Sequence, residues 1–404
     1  MPDDARRRVR DAFLLDPHVT FLNHGSFGAC PRAVFNVQRD IRHRIEQQPV
    51  RFFLRTLPAL LDRARERLAH FVGADREGLV FVPNATAGVN IVLRSIALAP
   101  GDELLTTNHA YRACRNALDF VAARRGARVV IAEVPLPIPG PAAIVDAILA
   151  QVTDRTRLAL IDGVTSSTAT IFPIERLVPE LHARGVDTLI DGAHTLAMLD
   201  VDLESLRPTY FTANCHKWLC SPKGAAILVV DPRMREQVHP LVMSYGGDIP
   251  IPGRSVYHRE FDWPGTHDPS AFIAAAHAID ELPRLAGLDW PKIRARNRAL
   301  ARFGRDRLLE VVGGVPAVPD ELLGSIASVA IPPSVTEPVS RNAGYLPSDP
   351  LYEALVERHF EVPVFHWPAP PHRWIRVSAQ IYNHPEEYVR LADTVGELLR
   401  AERR

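Results

Sequence analysis

Residues 188–218 read TLIDGAHTLAMLDVDLESLRPTYFTANCHKW. One short apolar run ends in Asp191-Gly192-Ala193-His194, and a second, TYFTANC, ends in His216-Lys217-Trp218. Working outward, similar runs occur at Leu79 to Val82, Glu103 to Thr107, Arg128 to Val134, Arg157 to Ile161, Asp187 to Ile190, Thr209 to Thr212 and Ala225 to Val230. Most are separated by helix-length segments. Strands alternating with helices require crossover connections, which predicts an α/β fold with a mainly parallel sheet covered on both faces. Ligands of such sheets gather at the carboxyl ends of the strands, where Asp191 and Lys217 lie.

Upstream, Leu57, Leu60, Leu61, Ala64, Leu68 and Phe71 fall on one helical stripe, followed by Gly73 where a C-terminal cap belongs. Downstream, Tyr245 to Pro269 is dense in Gly, Pro and polar residues and reads as a long loop between domains. Helical stripes at Ser270 to Leu282 and Trp290 to Val312 come next, then a strand at Ser325 to Ile331. A helix near Leu351 to His359, a strand at Trp374 to Ser378 and a terminal helix from Pro385 complete a smaller α+β unit.

The 404 residues carry 47 basic and 47 acidic side chains, leaving no charge surplus for a nucleic-acid backbone or an anionic membrane. Apolar content of 47% and charged content of 23% are those of an ordinary folded protein. No run approaches the roughly 18 apolar residues of a membrane span, and the first 16 residues lack a secretory pattern, so a cytoplasmic protein is expected. Four cysteines without CxxC spacing provide neither a disulfide framework nor a zinc site. No metal site is expected.

An Asp at one strand end pairs with a protonated pyridine nitrogen, and a Lys at a neighbouring strand end forms an imine with an aldehyde. Those are the two groups that pyridoxal phosphate requires. A third element is the strand LVFVP running into Asn84-Ala85-Thr86-Ala87-Gly88-Val89-Asn90, with Val89, Val92, Leu93 and Ile96 continuing as a helix. The N–H groups and positive dipole end of that helix bind phosphate without Lys or Arg, and Thr86 adds a hydroxyl. Taken singly, Lys217 reads as a solvated lysine and Asn84 as an N-cap; the combination carries the case.

Across nearly the whole chain the sequence resembles the class V aminotransferase-like branch of fold-type I pyridoxal phosphate enzymes, and within it the isopenicillin N epimerase-like group. The resemblance rests on LNHGSFGACPRAV, NATAGVN, TTNHAY, VTSSTATIFPI, DGAHT, NCHKWLCSPKG, WPGTHDPSAF and RVSAQIYN, in the family's order. It implies a large domain on a mainly parallel seven-stranded sheet (residues 21–268) and a smaller α+β domain (269–404), joined by an N-terminal segment (1–20).

Carried over by residue, the resemblance makes Lys217 the imine lysine and Asp191 the partner of the pyridine nitrogen. His194 and Ser166 would lie near the phenolic oxygen, His109 would stack on the ring, and Tyr111 would compete with it for that face. Ala85, Thr86, Asn214 and His216 would hold the phosphate, while Thr266 would complete the partner's site in a homodimer. Arg376 would grip the substrate carboxylate through its two parallel donors, and Asn23 and His24 would reach the substrate side. Two departures are Ala169, where the family has glycine, and Asn214, where it has serine. Alanine fits if the backbone there has negative φ, and Asn donates through its amide.

The implied activity is chemistry at the α-carbon of an amino acid or peptide-like amine bearing a carboxylate, with epimerisation in first place. The alternatives are a carbon-sulfur lyase or an aminotransferase, and more remotely a non-catalytic cofactor-binding regulator. An epimerase needs a second proton carrier, for which Tyr111, His24 and His109 are the candidates. A persulfide-forming desulfurase needs a nucleophilic Cys in the C-terminal domain, yet no Cys follows Cys220. Cys215, in its apolar strand, reads as a buried thiol.

Overall fold

All seven runs of the first part of the chain enter one sheet: β1 (Leu79–Val82), β2 (Glu103–Thr107), β3 (Arg128–Ala132), β4 (Thr156–Asp162), β5 (Asp187–Asp191), β6 (Tyr210–Asn214) and β7 (Ala226–Val230). The computed structural model describes residues 3–248, 250–333 and 348–402, so Ile249 of the expected loop and parts of the segments 1–20 and 269–404 lie outside the described residues. The strand order is β1-β7-β6-β5-β4-β2-β3. Only β7 runs against its neighbours; the remaining pairs are parallel. Strands β1, β2 and β6 are buried along their whole length. That burial on both faces is why they read as continuous apolar runs and not as alternating ones. Strand ends differ from the sequence reading by a residue or two.

The helix Leu57–Phe71 buries Leu57, Leu61, Ala64 and Leu68, and Gly73 follows with φ +57. The helix Ala85–Ser95 is capped by Asn84, whose side chain accepts from the Ala87 N–H. The expected loop over Tyr245 to Pro269 is corrected in part, because it contains the helix Val256–Asp262. The Ser255 side chain caps that helix at the His258 N–H, and Tyr257 and Phe261, four residues apart, are buried in the apolar layer that includes Val80 and Leu228. A seven-residue helix flanked by Gly and Pro offers too short an apolar stripe to stand out. Arg65, fully buried, ties this segment down by bonding Asp62 and Asp262.

A second sheet has the order β9-β10-β8, built from β8 (Ile326–Ile331), β9 (Val364–His366) and β10 (Arg373–Ser378), all antiparallel. The helices Trp290–Val312 and Pro385–Glu402 pack on each other beside it. Thr20–Phe21 pairs in parallel with Phe360–Glu361, and the Ser378 N–H donates to the Leu22 carbonyl, so the chain's start is attached to this sheet. Helix Ser270–Ala286 packs instead on Arg32–Gln47 and Leu57–Phe71, with Phe272 stacked on Phe81 of the large sheet. Among the described residues, no helix is long and apolar enough to cross a membrane.

Candidate active site

The carboxyl ends of β4, β5 and β6 and the start of helix Ala85–Ser95 surround a cavity of about 390 Å³. It brings together nine of the residues singled out from sequence: Ala85, Thr86, Tyr111, Ser166, Asp191, His194, Asn214, His216 and Lys217. It also takes in Ser26, Phe27, Asp162 and Lys223, which the sequence reading passed over. For Asp162 a signal was present: Leu160-Ile161-Asp162-Gly163 repeats Leu189-Ile190-Asp191-Gly192.

Lys217 follows β6 in a turn held from below. Its carbonyl accepts from the Cys220 N–H at 2.9 Å and meets His24 Nε2 at 3.0 Å. Burial, and then the charge of Arg376, lowers the Lys217 amine to about 8, with Asp191 acting in the opposite direction. Its Nζ lies 3.0 Å from His194 Nε2, while the Trp218 indole N–H donates to His194 Nδ1 at 3.2 Å. A ring whose Nδ1 accepts is neutral and carries its proton on Nε2, which then has a neutral Lys217 amine as acceptor; this tautomer is assigned from the bonding geometry. Burial, the largest effect, holds His194 well below the usual imidazole range, which keeps the ring neutral.

At the helix end of the cavity, the Ala87 N–H is taken by Asn84 Oδ1 at 2.8 Å and the Ala85 N–H by Asn214 Oδ1 at 2.9 Å. The donor expected from Ala85 is therefore engaged. Thr86, between them, lines the cavity, and Asn214 keeps its amide NH₂ for it. Lys223 brings a cation to the same wall while its Nζ donates to the Gly28 carbonyl at 2.9 Å. Gly28 has φ +70, and a Cβ there would fall 1.9 Å from the His216 carbonyl oxygen, so only glycine lets the chain pass this close to the His216–Lys217 turn.

Asp191 is buried at the opposite wall, with Oδ1 accepting the Ala193 N–H at 2.9 Å and Oδ2 accepting the Cys114 thiol at 3.1 Å. Arg376, on β10 of the second sheet, is not in the lining but contacts two residues that are. It donates to the Ser166 carbonyl at 2.7 Å, to Ser166 Oγ at 3.2 Å and to Ser26 Oγ at 3.0 Å. Its Nε is buried and has no hydrogen-bond partner among the described residues. Burial lowers this guanidinium to about 10, although Tyr111 opposes the effect. A buried cation with a spare donor, beside two serines of the cavity lining, is suited to a carboxylate.

The other residues singled out from sequence lie outside this lining. His109 does not line the cavity: its Nδ1 bonds Thr168 Oγ1 at 2.7 Å, its Nε2 meets the Val134 carbonyl at 3.1 Å, and its ring packs on Trp367. Tyr111 lines it instead. His24 is buried beneath the lysine turn, with Nδ1 2.7 Å from the Tyr382 hydroxyl, and burial lowers it to about 3. Ala169 has φ +54, so the alanine sits in left-handed backbone at a cost of about 1–2 kcal/mol. Asn23 does not line the cavity either and accepts from Ser26 Oγ, one of Arg376's partners; Thr266 is exposed and away from the lining. Cys215 is fully buried, which pushes its thiol up to about 12.

One cavity thus offers a helix N-terminus with Thr86 for a phosphate, a buried carboxylate for a ring nitrogen and an amine near neutrality for an aldehyde. This donor set fits pyridoxal phosphate. The family model for aminotransferase class-V matches residues 53–335. The isopenicillin N epimerase of Amycolatopsis lactamdurans is 35% identical over 405 residues, covering 96% of this chain and 98% of that one. A probable chloroplastic L-cysteine desulfhydrase of Arabidopsis thaliana is 30% identical over 413 residues, covering 95% and 84%. Among solved structures, C-DES with glycine covalently linked to its PLP cofactor superposes with a TM-score of 0.79 at 17% identity, covering 97% and 99%. The chain belongs to the class-V aminotransferase family, fold-type I enzymes that use pyridoxal phosphate, and is an enzyme of epimerase or lyase type.

Proposed function

We propose that the protein inverts the α-carbon of an amino acid or peptide-like amine bearing a carboxylate. The observation that carries this reading is the pairing of Lys217 and Tyr111 in one cavity, with opposite proton tendencies. Burial lowers Lys217 to about 8, which brings its amine toward the neutral form that takes a proton. Tyr111 is 45% exposed, yet partial desolvation, then the neighbouring Cys114 and Asp191, raise it above the usual phenol range, so its hydroxyl holds its proton. Of the three candidates for a second proton carrier, Tyr111 alone lines the cavity.

Pyridoxal phosphate, when bound, makes an α-proton acidic by drawing the remaining electron pair into its ring. Lys217 would anchor the cofactor and move the proton on one side, and Tyr111 would serve the other. Asp191 would face the ring nitrogen, His194 and Ser166 the phenolic oxygen, and Thr86, Asn214 and His216 the phosphate. Arg376 would orient the substrate carboxylate through the guanidinium edge that its serine contacts leave open. A homodimer would bring the exposed Thr266 to a neighbouring site, consistent with Phe27, 69% exposed at the cavity wall, and with exposed Leu241, Val242 and Met243.

The similarity to cysteine desulfhydrases keeps a carbon-sulfur lyase as the second reading. Incubation of a panel of L-amino acids and small peptides in deuterium oxide separates the two. Epimerisation gives deuterium at the α-carbon and loss of chirality with the substrate otherwise intact. Release of pyruvate, ammonia or sulfide without recovered epimer would replace it with the lyase, and a keto acid product with the aminotransferase.

Arg376→Ala should raise the Michaelis constant for carboxylate substrates by on the order of 10- to 100-fold, the value of about 1.5–3 kcal/mol for a charged hydrogen bond. Rates on amides of the same substrates should change little. Equal losses on both would remove the proposed clamp.

A further inference from the structure

Two copies of the tetrapeptide Leu-Ile-Asp-Gly end neighbouring parallel strands, β4 and β5, and they are in register: Leu160 faces Leu189, Ile161 faces Ile190 and Asp162 faces Asp191. Residues paired this way point to the same side, with strands about 4.8 Å apart. Both carboxyls are 3% exposed, and both line the cavity. Two charges in such a place repel strongly, and one proton between them removes most of the cost.

The donors around them are unequal. Asp191 has the Ala193 N–H on one oxygen and the Cys114 thiol on the other. Near the carboxyl of Asp162 the backbone N–H groups of Tyr111 and of Asp162 itself act to lower it, less strongly than burial and Asp191 raise it. The other charged or titratable groups facing the pair are Lys217, after β6, and the phenol of Tyr111 and thiol of Cys114 at the helix Arg112–Arg125.

We propose that Asp162 is a positioning residue, a second carboxyl that shares one proton with Asp191 so that this wall of the cavity carries a single negative charge. The inference rests on Asp191 being the residue that faces the ring nitrogen. Burial, and then the charge of Asp191, pushes Asp162 well above the usual carboxylate range, which agrees with the geometry. A single charge is what a pyridinium needs as counter-ion. A second full charge on the wall would favour a proton on the Lys217 amine, which Asp191 and Asp162 both act to raise.

The chain has only three lysines, Lys217, Lys223 and Lys292, so lysine labelled with carbon-13 at Cε gives three NMR signals in the cofactor-free protein. The Lys217 signal should titrate with a midpoint of about 8. If one proton is shared, Asp162→Asn and Asp191→Asn each leave one charge behind, and each should move that midpoint by less than about 0.5 pH units. The double variant leaves none and should lower it by about one to two units. The Lys223 and Lys292 signals serve as folding controls.

A drop in Asp162→Asn alone, with the double variant equal to the sum, would mean two independent charges and overturn the proposal. So would a drop in Asp191→Asn equal to that of the double variant, which would mean that Asp162 never takes up the charge. Neither outcome depends on cofactor binding, which is scored separately by absorbance after adding pyridoxal phosphate. Failure of the shared proton and failure of the cofactor assignment are therefore distinct results.

Discussion

Lys217→Ala should abolish turnover and, with it, the covalent hold on the cofactor. The wild-type protein loaded with pyridoxal phosphate should be yellow, and borohydride followed by peptide mapping should fix the cofactor on Lys217, one of three lysines in the chain. The variant should bind the cofactor reversibly and lose it on gel filtration. Its rate should fall by at least on the order of 10⁴-fold, the upper end of what a positioned base contributes. The expectation follows from the position of the side chain: Lys217 lines the cavity, its amine is lowered to about 8, and His194 Nε2 lies 3.0 Å from it. His194 cannot replace it, because its Nδ1 is committed to Trp218 and burial keeps the ring neutral. Borohydride labelling at Lys223 or unchanged activity in the variant would place the chemistry elsewhere.

The large sheet was legible because its strands are buried on both faces, so each appears as a compact apolar run. The reactive groups that lie directly at strand ends, Asp191 and the turn carrying Lys217, were legible for the same reason. Side chains one or two residues into a loop were not. Tyr111 and His109 are separated by one residue in TTNHAY, yet one lines the cavity and the other turns away to Thr168, Val134 and Trp367. No periodicity specifies such a turn. His24 is a similar case: its motif stands beside the site in sequence, yet its ring lies against the Lys217 carbonyl and not in the cavity lining.

Ala169 shows a different limit. Its alanine raised a question about backbone sign that composition cannot answer, and the sign is positive. The neighbouring bonds explain how the strain is held: the Thr170 N–H donates to Thr165 Oγ1, and Thr168 Oγ1 bonds both Thr165 Oγ1 and His109 Nδ1. His109 is thus part of the scaffold of the loop that positions Ser166. Asp162 is the opposite case, since its repeat was readable in the sequence. It went unread because a buried second carboxylate is costly unless it shares its proton, and only the register of β4 against β5 shows that it can.

Asp191→Asn should leave the fold and the cofactor largely in place and lower turnover by on the order of 10²- to 10³-fold, the usual cost of losing one preorganised electrostatic partner. The amide is nearly isosteric. Its oxygen can still accept the Ala193 N–H, but the charge that opposes a positive ring nitrogen is gone. Asp162 tempers the loss, because release from the shared proton gives it the charge, though at a position one strand removed. The double variant Asp162→Asn/Asp191→Asn should accordingly lose more activity than Asp191→Asn by a further order of magnitude or so, while Asp162→Asn alone should stay near wild type. That pattern is non-additive, as expected for two groups that hold one charge. The visible spectrum of each variant, recorded against pH, gives the parallel readout: the wild type and Asp162→Asn should coincide, and the double variant should depart furthest. Near-normal turnover in Asp191→Asn with Asp162→Asn also intact would be explained only by another group facing the nitrogen, and the assignment of this wall of the cavity would fall with it.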